Sequence, residues 1–230
     1  MDNSQWVALL LTLKLASYTT AILLLLCLPL AWKLARWQHP AKPLVDALAA
    51  LPLVLPPTVL GFYLLVAFAP DTLTGRFWYW LTDSQLAFSF AGLVLGSLIY
   101  SLPFVLQPLQ NSFERVEVPL LESASLLGLT PRQRFFKIII PANRSGIISA
   151  AALGFAHTLG EFGVVLMIGG NIPGETQVAS IAIYEQVESM QYQNAHQLSV
   201  ILIAFSLVLL IITYSWRSLS LKTSGKSQHA

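Results

Sequence analysis

The chain has 230 residues, of which 55% are hydrophobic and only 10% are charged, and its mean hydropathy is +0.66. Soluble domains carry about 25% charged residues, so this composition excludes an ordinary soluble domain and predicts an all-α integral membrane protein. The formal net charge of +2 carries little information by itself, because the placement of the charges matters more than their sum. The only cysteine, Cys27, lies inside an apolar run, which excludes a disulfide within the chain and predicts a buried thiol.

Five apolar stretches are long enough to cross a bilayer, which takes about 20 residues of helix. They are residues 15–32, 44–68, 86–109, 145–168 and 198–214. Residues 6–13 either extend the first span or form a separate interfacial helix. The chain begins without the basic residues of a signal peptide and contains Asp2, so we expect the first apolar run to be retained.

The second span, with the sequence LPLVLPPTVLGFYLLV, is interrupted by helix breakers. Prolines and a glycine free backbone groups that neighbouring helices or a cavity must satisfy inside a membrane. The span is therefore either a kinked packing helix or a helix that lines or gates a pathway, and broken helices favour the second interpretation. Its candidate pathway residues are Pro56, Pro57, Thr58 and Gly61, and Pro52 is a further break.

Small residues repeat every four positions in the third and fourth spans. Gly92 and Gly96 form a GxxxG pair in the third span, a pattern that allows close helix contact. Positions 146, 150, 154 and 158, which are Gly, Ala, Gly and Thr, give the fourth span one small face. Both patterns predict helix packing, although a small face can also border a pore.

Residues 122–141, ESASLLGLTPRQRFFKIIIP, read as two short helices joined by a turn. Pro119 suits a first helical turn, and Glu122 is expected in that turn beside the positive end of the helix dipole. Gly128 is expected to end the helix, and Thr130 to cap a second helix that stops before Pro141. Such short helices need support from elsewhere. The segment is either a surface loop held against its own protein or a docking element for a soluble partner.

Two ionisable residues, His157 and Glu161, lie four positions apart on one face of the fourth span. Ionisable groups within a membrane are costly and commonly functional. The pair is either a mutually hydrogen-bonded structural unit or part of a pathway, together with Thr158, Gly160 and Gly163. One His and one Glu supply too few ligands for a metal ion, and no HExxH motif is present, so we expect neither a metal site nor a catalytic site.

Basic residues are strongly asymmetric about the predicted spans. Eleven of the thirteen Lys and Arg residues follow the first span, the third span or the last span, namely Lys33, Arg36, Lys42, Arg115, Arg132, Arg134, Lys137, Arg144, Arg217, Lys222 and Lys226. Only Arg76 lies between the second and third spans, and Lys14 borders the first. The positive-inside rule then places the N-terminus outside, the C-terminus in the cytoplasm, and the loop of residues 115–144 in the cytoplasm.

The tail of residues 217–230 contains Gly225-Lys226-Ser227, which looks like part of a phosphate-binding loop. The first glycine that such a loop requires would be at position 220, which is a serine, and no strand precedes it. We therefore interpret residues 217–230 as a solvated basic tail. The chain is expected to bind no cofactor or nucleotide of its own.

The loop resembles the EAA loop of ABC importer permeases in its residues and spacing. The matching residues are Glu122, Ser123, Ala124, Gly128 and, after nine residues, Ile138-Ile139-Ile140-Pro141. Ser123 departs from the alanine that the family commonly has. The resemblance implies a type I importer fold with a cytoplasmic coupling helix between spans 3 and 4. The residues implied in coupling to an ATP-binding subunit are Glu122, Ser123, Ala124, Gly128, Thr130, Pro131 and Pro141.

The second span and residues 157–184, HTLGEFGVVLMIGGNIPGETQVASIAIY, resemble molybdate permeases, and sulfate permeases are similar but less close. One departure is His157, where the family commonly has arginine, so a permanent cation is replaced by a titratable group. The resemblance implies a homodimer in the bacterial cytoplasmic (inner) membrane, two ATP-binding cassette subunits that bind ATP, and an extracytoplasmic oxyanion-binding protein. The expected cargo is molybdate, carried by alternating access, with tungstate or sulfate/thiosulfate as alternatives. Nucleic acid is not an expected partner.

Two functions of other classes remain possible from the sequence. An ion-coupled secondary transporter would need no ATPase, and a membrane enzyme built around His157 and Glu161 would need further polar groups in the spans. Co-purification with an ATPase distinguishes the importer from both.

We predict that residues 188 and 222 lie on opposite sides of the membrane, because the basic residues are concentrated in alternate loops. Glu188→Cys and Lys222→Cys, each in a Cys27→Ser background, should react with an impermeant thiol reagent from opposite faces of oriented vesicles. Labelling of both positions from the same face would overturn the topology.

Overall fold

The structure is a computed structural model that describes the backbone of residues 3–226 and their side chains except 214 and 216–226. This part of the chain is helical and contains no strand. The helices are α1 (Asn3–Ala35), α2 (Lys42–Val54), α3 (Pro57–Phe68), α4 (Leu73–Thr82), α5 (Phe90–Glu114), α6 (Val118–Leu126), α7 (Pro131–Arg134), α8 (Ile140–Ala142), α9 (Arg144–Leu159), α10 (Gly163–Gly169), α11 (Ala179–Glu188) and α12 (Tyr192–Lys226). The side chains of the predicted basic tail lie outside the described residues.

Three helices are long and apolar enough to cross a membrane by themselves. They are Asn3–Ala35, Phe90–Glu114 and the segment Tyr192–Thr213 of α12. Two bent helix pairs bring the number to as many as five if each pair counts as one span, so the all-helical prediction with about five spans agrees with the fold. Residues 6–13 belong to the continuous α1 and do not form a separate helix.

The second predicted span, residues 44–68, is two helices and not one kinked helix. The α2 and α3 axes meet at 108°. Leu55 and Pro56 are extended, with ψ of 136° and 133°, and Pro57 occupies the first position of α3. Since a residue before proline avoids helical geometry, and here two prolines follow in succession, the chain leaves the helix at this point.

The fourth predicted span, residues 145–168, is also interrupted. Helix α9 ends at Leu159, and α10 begins at Gly163 after the non-helical residues Gly160, Glu161 and Phe162. Gly163 fits this break because a Cβ there would lie 2.8 Å from the Cβ of Pro57. The fourth apolar stretch is therefore two helices, and apolar length alone does not show the effect of Gly160 and Gly163 on the backbone.

The loop of residues 115–144 forms two short helical segments, as predicted, with two corrections. Helix α6 begins at Val118, so Glu122 lies beyond the first turn and gains little from the helix dipole. The second segment does not stop before Pro141: it passes from α7 through a π-helical turn at Phe135–Ile139 into α8. Proline is tolerated there because it occupies an early position of α8.

Two details of this loop are confirmed. Gly128 has φ of +74°, the left-handed conformation expected after a helix end. Thr130 forms the predicted capping box: its side chain accepts from the Gln133 N–H at 3.3 Å, and Gln133 Oε1 accepts from the Thr130 N–H at 2.9 Å.

Helix α5 is the centre of the packing and contacts α1, α2, α9 and α10. Its buried Val105, Leu109 and Phe113 form a core with α1 and α9. A Cβ at Gly154 would lie 2.4 Å from Val105 Cγ2, and a Cβ at Gly96 would lie 2.4 Å from Ile168 Cδ1. The packing role predicted for these small residues is therefore confirmed, because larger side chains would force the helices apart.

Candidate functional site

A cavity of about 450 Å³ opens where the interrupted second and fourth spans meet. Helices α3 and α10 pack against each other there, and α5 closes one side. The lining residues are Pro57, Thr58, Tyr100, His157, Gly160, Glu161, Phe162, Gly163, Leu166 and Met167. Both helix breaks therefore contribute to one cavity, which places irregular backbone beside an open space, where it can be tolerated in a membrane.

Glu161 is the buried polar centre of this site, with only 4% of its surface exposed. Its Oε2 accepts a hydrogen bond from Ser97 Oγ of α5 at 2.7 Å, and its backbone oxygen accepts one from Ser180 Oγ of α11 at 2.6 Å. Its Oε1 has no hydrogen-bond partner in the described part of the chain. Glu161 thus ties the break between α9 and α10 to two other helices.

His157 is held by a separate set of contacts. Its ring stacks on Phe104, with centroids 3.7 Å apart, and lies 4.7 Å from the ring of Tyr100. Its Nδ1 is 2.9 Å from Ser101 Oγ, which is also 2.9 Å from Thr158 Oγ1. The mutual hydrogen bond considered for His157 and Glu161 is absent, because each side chain bonds to a different serine of α5.

The structure brings together six of the nine predicted pathway residues at the cavity wall: Pro57, Thr58, His157, Gly160, Glu161 and Gly163. The other three lie nearby without lining it. Pro56 precedes α3, buried Gly61 packs against Met167, and buried Thr158 donates to the Gly154 carbonyl at 3.0 Å. Gly61 is a packing residue, since a Cβ there would lie 2.7 Å from the Cβ of Met167.

Sequence reasoning missed the serines that support the site. Ser97 and Ser101 are fully buried and lie one helical turn apart on α5. Their spacing of four matches the spacing of Glu161 and His157, the side chains to which they bond. Two serines four residues apart in an apolar span are a sequence signal for buried hydrogen bonds. The sequence does not show their partners, because these belong to a distant segment.

The predicted coupling residues form a second region, at the end of the molecule that carries the basic loops. Glu122, Ser123, Gly128, Thr130 and Pro131 are exposed, whereas Ala124 is buried. Large apolar side chains beside them are exposed: Leu126 at 89%, Leu127 at 80% and Phe136 at 65%. Arg134 Nη1 donates to Ser125 Oγ at 2.5 Å and links the two helical segments. Pro141 lies in α8, next to the start of α9.

No group of three or more His, Cys, Asp or Glu side chains that could hold a metal ion occurs among residues that the structure describes. Among the described residues that line the cavity, the ionisable side chains are those of His157, Glu161 and Tyr100. The arrangement can therefore offer hydroxyls, an imidazole and a carboxyl to a passing solute.

Comparisons with known proteins agree with this architecture. Residues 25–220 match the family described as the binding-protein-dependent transport system inner membrane component. The chain is 52% identical over 210 residues to the molybdenum transport system permease protein ModB of Azotobacter vinelandii, covering 91% of this chain and 93% of that protein. It is 35% identical over 182 residues to the sulfate transport system permease protein CysT of Synechocystis sp., covering 79% of this chain and 63% of that protein.

Among solved structures, the chain resembles a bacterial alginate ABC transporter in complex with an alginate pentasaccharide-bound periplasmic protein. The TM-score is 0.73 at 18% sequence identity, with 93% of this chain and 78% of that chain covered. At this identity the likeness concerns the fold, which is that of a type I ABC importer permease. The family match and the ModB relative cover most of the chain, and the chain therefore belongs to the family of binding-protein-dependent transport system inner membrane components.

Proposed function

We propose that the chain is the membrane subunit of an ATP-driven importer that carries molybdate across the cytoplasmic membrane. The observation that carries this proposal is the 52% identity to the Azotobacter vinelandii molybdenum permease over 91% of the chain. A tetrahedral oxyanion also suits the cavity, where Thr58 and Tyr100 offer hydroxyls and His157 offers a ring nitrogen. The described residues of the cavity wall include no Lys or Arg, so an anion would be bound weakly there. Weak binding suits a pathway, because the cargo must be able to leave it.

The partners that we propose are a second copy of the chain, two ATP-binding cassette subunits and an extracytoplasmic oxyanion-binding protein. The family description and the periplasmic protein bound to the alginate transporter support the last of these. A second copy would complete a pathway that one chain lines only in part. Any ATP would be bound and hydrolysed on the partner subunits, so this chain would be a permease and not an enzyme.

Coupling is assigned to the loop of residues 115–144. Its exposed Leu126, Leu127 and Phe136 form an apolar surface that a soluble subunit could bury. Ser112 Oγ of α5 donates to Asn143 Oδ1 at 3.0 Å, directly before α9. Helix α9 then runs without interruption from Arg144 to Leu159. A displacement of the loop would therefore reach the cavity along α9, which supports alternating access as the proposed mechanism.

The gate is assigned to the break at Glu161. A carboxyl group at the cavity would repel an anion if it were ionised and free, so we infer that Glu161 is a structural tie and not a ligand. Its bonds to Ser97 and Ser180 support this role, since they join α5, the α9–α10 break and α11. The hydrogen bond to His157 that the spacing of four allowed is replaced by the contacts of Glu161 with these two serines.

Sulfate is the second candidate cargo, because the Synechocystis sulfate permease is 35% identical over 79% of the chain. Tungstate and thiosulfate are further alternatives of the same class. The termini follow the charge distribution, with the N-terminus outside and the C-terminus in the cytoplasm.

We predict ATP-dependent molybdate uptake when the chain is reconstituted in vesicles with its ATPase subunit and binding protein. Sulfate should compete weakly, and an ATPase subunit unable to hydrolyse ATP should abolish uptake. Equal uptake of sulfate would reassign the cargo. Uptake that follows an ion gradient without the ATPase would identify a secondary transporter.

The coupling role predicts that Gly128→Val uncouples transport. A Cβ at Gly128 meets nothing within 4 Å, so the variant's strain comes only from its φ of +74° and amounts to about 1–3 kcal/mol. Gly174→Val is a matched control, because Gly174 has φ of +80° and equally open surroundings in another loop. Both variants should insert in the membrane, but only Gly128→Val should lose stimulation of the ATPase. Glu122 is exposed, and Glu122→Lys should likewise lose stimulation of the ATPase. Normal coupling in both variants would contradict the coupling role of the loop.

The gate role predicts that Glu161→Gln assembles normally but shows altered basal ATPase activity or a leak of solute. Ser97→Ala should act in the same direction, because it leaves a buried carboxyl oxygen without its donor, a loss of about 1–3 kcal/mol. Ser199→Ala is the control, since its hydroxyl only bonds to the Ala195 carbonyl within α12. A switch of oxyanion preference in Glu161→Gln, with coupling intact, would show instead that Glu161 contacts the cargo.

A further inference from the structure

Helix α4, between α3 and α5, presents an apolar face away from the protein. Leu73, Phe77, Trp80 and Leu81 recur at helical spacing, and their exposed fractions are 88%, 62%, 78% and 59%. The opposite face holds buried Gly75 and half-buried Trp78, which packs against the cluster of Leu64 and Phe68. The helix therefore lies on the surface with four large side chains uncovered.

The position of α4 is fixed at its start. The Thr72 side chain accepts from the Gly75 N–H at 3.1 Å and donates to the carbonyl of Ala69 at 2.7 Å. A Cβ at Gly75 would lie 2.1 Å from that same carbonyl oxygen, so the helix is seated directly on the end of α3. Exposure of the apolar face is thus built into the fold.

A second stripe of aromatic and charged side chains runs beside this face and shares Trp80 with it. Arg76, Tyr79, Trp80 and Asp83 follow the i, i+3, i+4, i+7 spacing and line an open hollow of about 600 Å³, together with Pro70 and Gln85. In the part of the chain that the structure describes, neither Arg76 nor Asp83 has a salt-bridge partner. A cation and an anion at opposite ends of an aromatic stripe complement a ligand that carries both charges.

The surroundings identify that ligand as a lipid. Helix α3, which α4 contacts, also exposes large apolar side chains, namely Val59, Phe62, Tyr63 and Val66. A surface helix that exposes apolar, Trp and Tyr side chains next to a spanning segment has the composition of a membrane–water interface. Arg76 would meet a lipid phosphate, and Asp83 with the Tyr79 and Trp80 rings would meet an ammonium group.

We propose that α4 lies in the membrane interface and binds the headgroup of a zwitterionic lipid with a primary amine, such as phosphatidylethanolamine. The lipid phosphate contacts Arg76, and the ammonium group contacts Asp83. The apolar face of Leu73, Phe77, Trp80 and Leu81 enters the adjoining leaflet. The binding holds the end of α3, whose start lines the cavity, against the bilayer.

Spin labels test the location in the full transporter in lipid nanodiscs. Labels at Leu73→Cys and Leu81→Cys, in a Cys27→Ser background, should be more accessible to oxygen than to a water-soluble nickel chelate. A label at exposed Glu188→Cys supplies the aqueous reference. The location would be overturned if the labels at positions 73 and 81 were more accessible to the nickel chelate than to oxygen. It would also be overturned if the labels became protected from the chelate only when the binding protein is added, or if short distances between labels placed α4 against the second copy.

Retained lipid tests the headgroup contacts. The transporter is extracted from vesicles with equal amounts of phosphatidylethanolamine, phosphatidylcholine and phosphatidylglycerol, and its bound lipids are counted by mass spectrometry. Arg76→Gln should lower retained phosphatidylethanolamine about two- to fivefold, the effect of an exposed charge contact, and should lower phosphatidylglycerol as well. Asp83→Asn should lower only phosphatidylethanolamine.

Asp71→Asn is the matched control, because Asp71 is an exposed carboxylate next to α4 that does not line the hollow. Its retained lipids should equal those of the unmodified protein. Unchanged lipid ratios in Arg76→Gln and Asp83→Asn, or an equal change in Asp71→Asn, would overturn the proposed headgroup site.

Discussion

The hydrogen bonds at Glu161 are the contacts on which the rest of the site depends. A chain that leaves helical geometry inside an apolar region exposes polar groups that neither lipid nor apolar side chains can satisfy. Ser97 donates to one carboxyl oxygen of Glu161 and Ser180 donates to its backbone oxygen, from two different helices. The break between α9 and α10 can therefore exist, and the cavity with it.

The two interrupted spans stabilise each other. The 108° bend between α2 and α3 turns Pro57 and Thr58 toward the break in the fourth span. Gly163 allows the approach, since a Cβ there would lie 2.8 Å from the Cβ of Pro57. Either break alone would leave an unsupported kink, whereas together they form two walls of one cavity. Interrupted helices that meet in this way are common at transport sites.

One helix joins this cavity to the exposed loop. Helix α9 begins beside Asn143, which bonds to Ser112, and ends at Leu159, directly before the break. Its small residues Gly146 and Gly154 bring it close to α5, so it is packed tightly along its length. A close-packed helix moves as a rigid unit and transmits displacement better than a loosely packed one. One continuous helix therefore connects the loop of residues 115–144 to the cavity.

Composition and local signals in the amino-acid sequence predict the helical class, the approximate spans, and the helix end and cap in the loop of residues 115–144. Hydrophobic length predicts spans because the bilayer has a fixed thickness, and Gly128 and Thr130 predict a helix end and a cap because these are local backbone effects. For the same reason, six of the nine predicted pathway residues do line the cavity. Prolines and glycines are local signals that mark the helix breaks, and these breaks form the cavity wall.

The contacts that hold the site together join segments that are distant in the chain, so local sequence patterns do not predict them. The partners of Glu161 and His157 are Ser97 and Ser101, which are 64 and 56 residues away in the chain. Helix spacing allowed a bond between the two ionisable residues, but packing against α5 provides each of them with a serine hydroxyl instead. The outward apolar face of α4 is likewise a result of how Gly75 sits on α3. Local patterns fix where a helix begins and ends, whereas long-range packing selects which of its faces meets another helix.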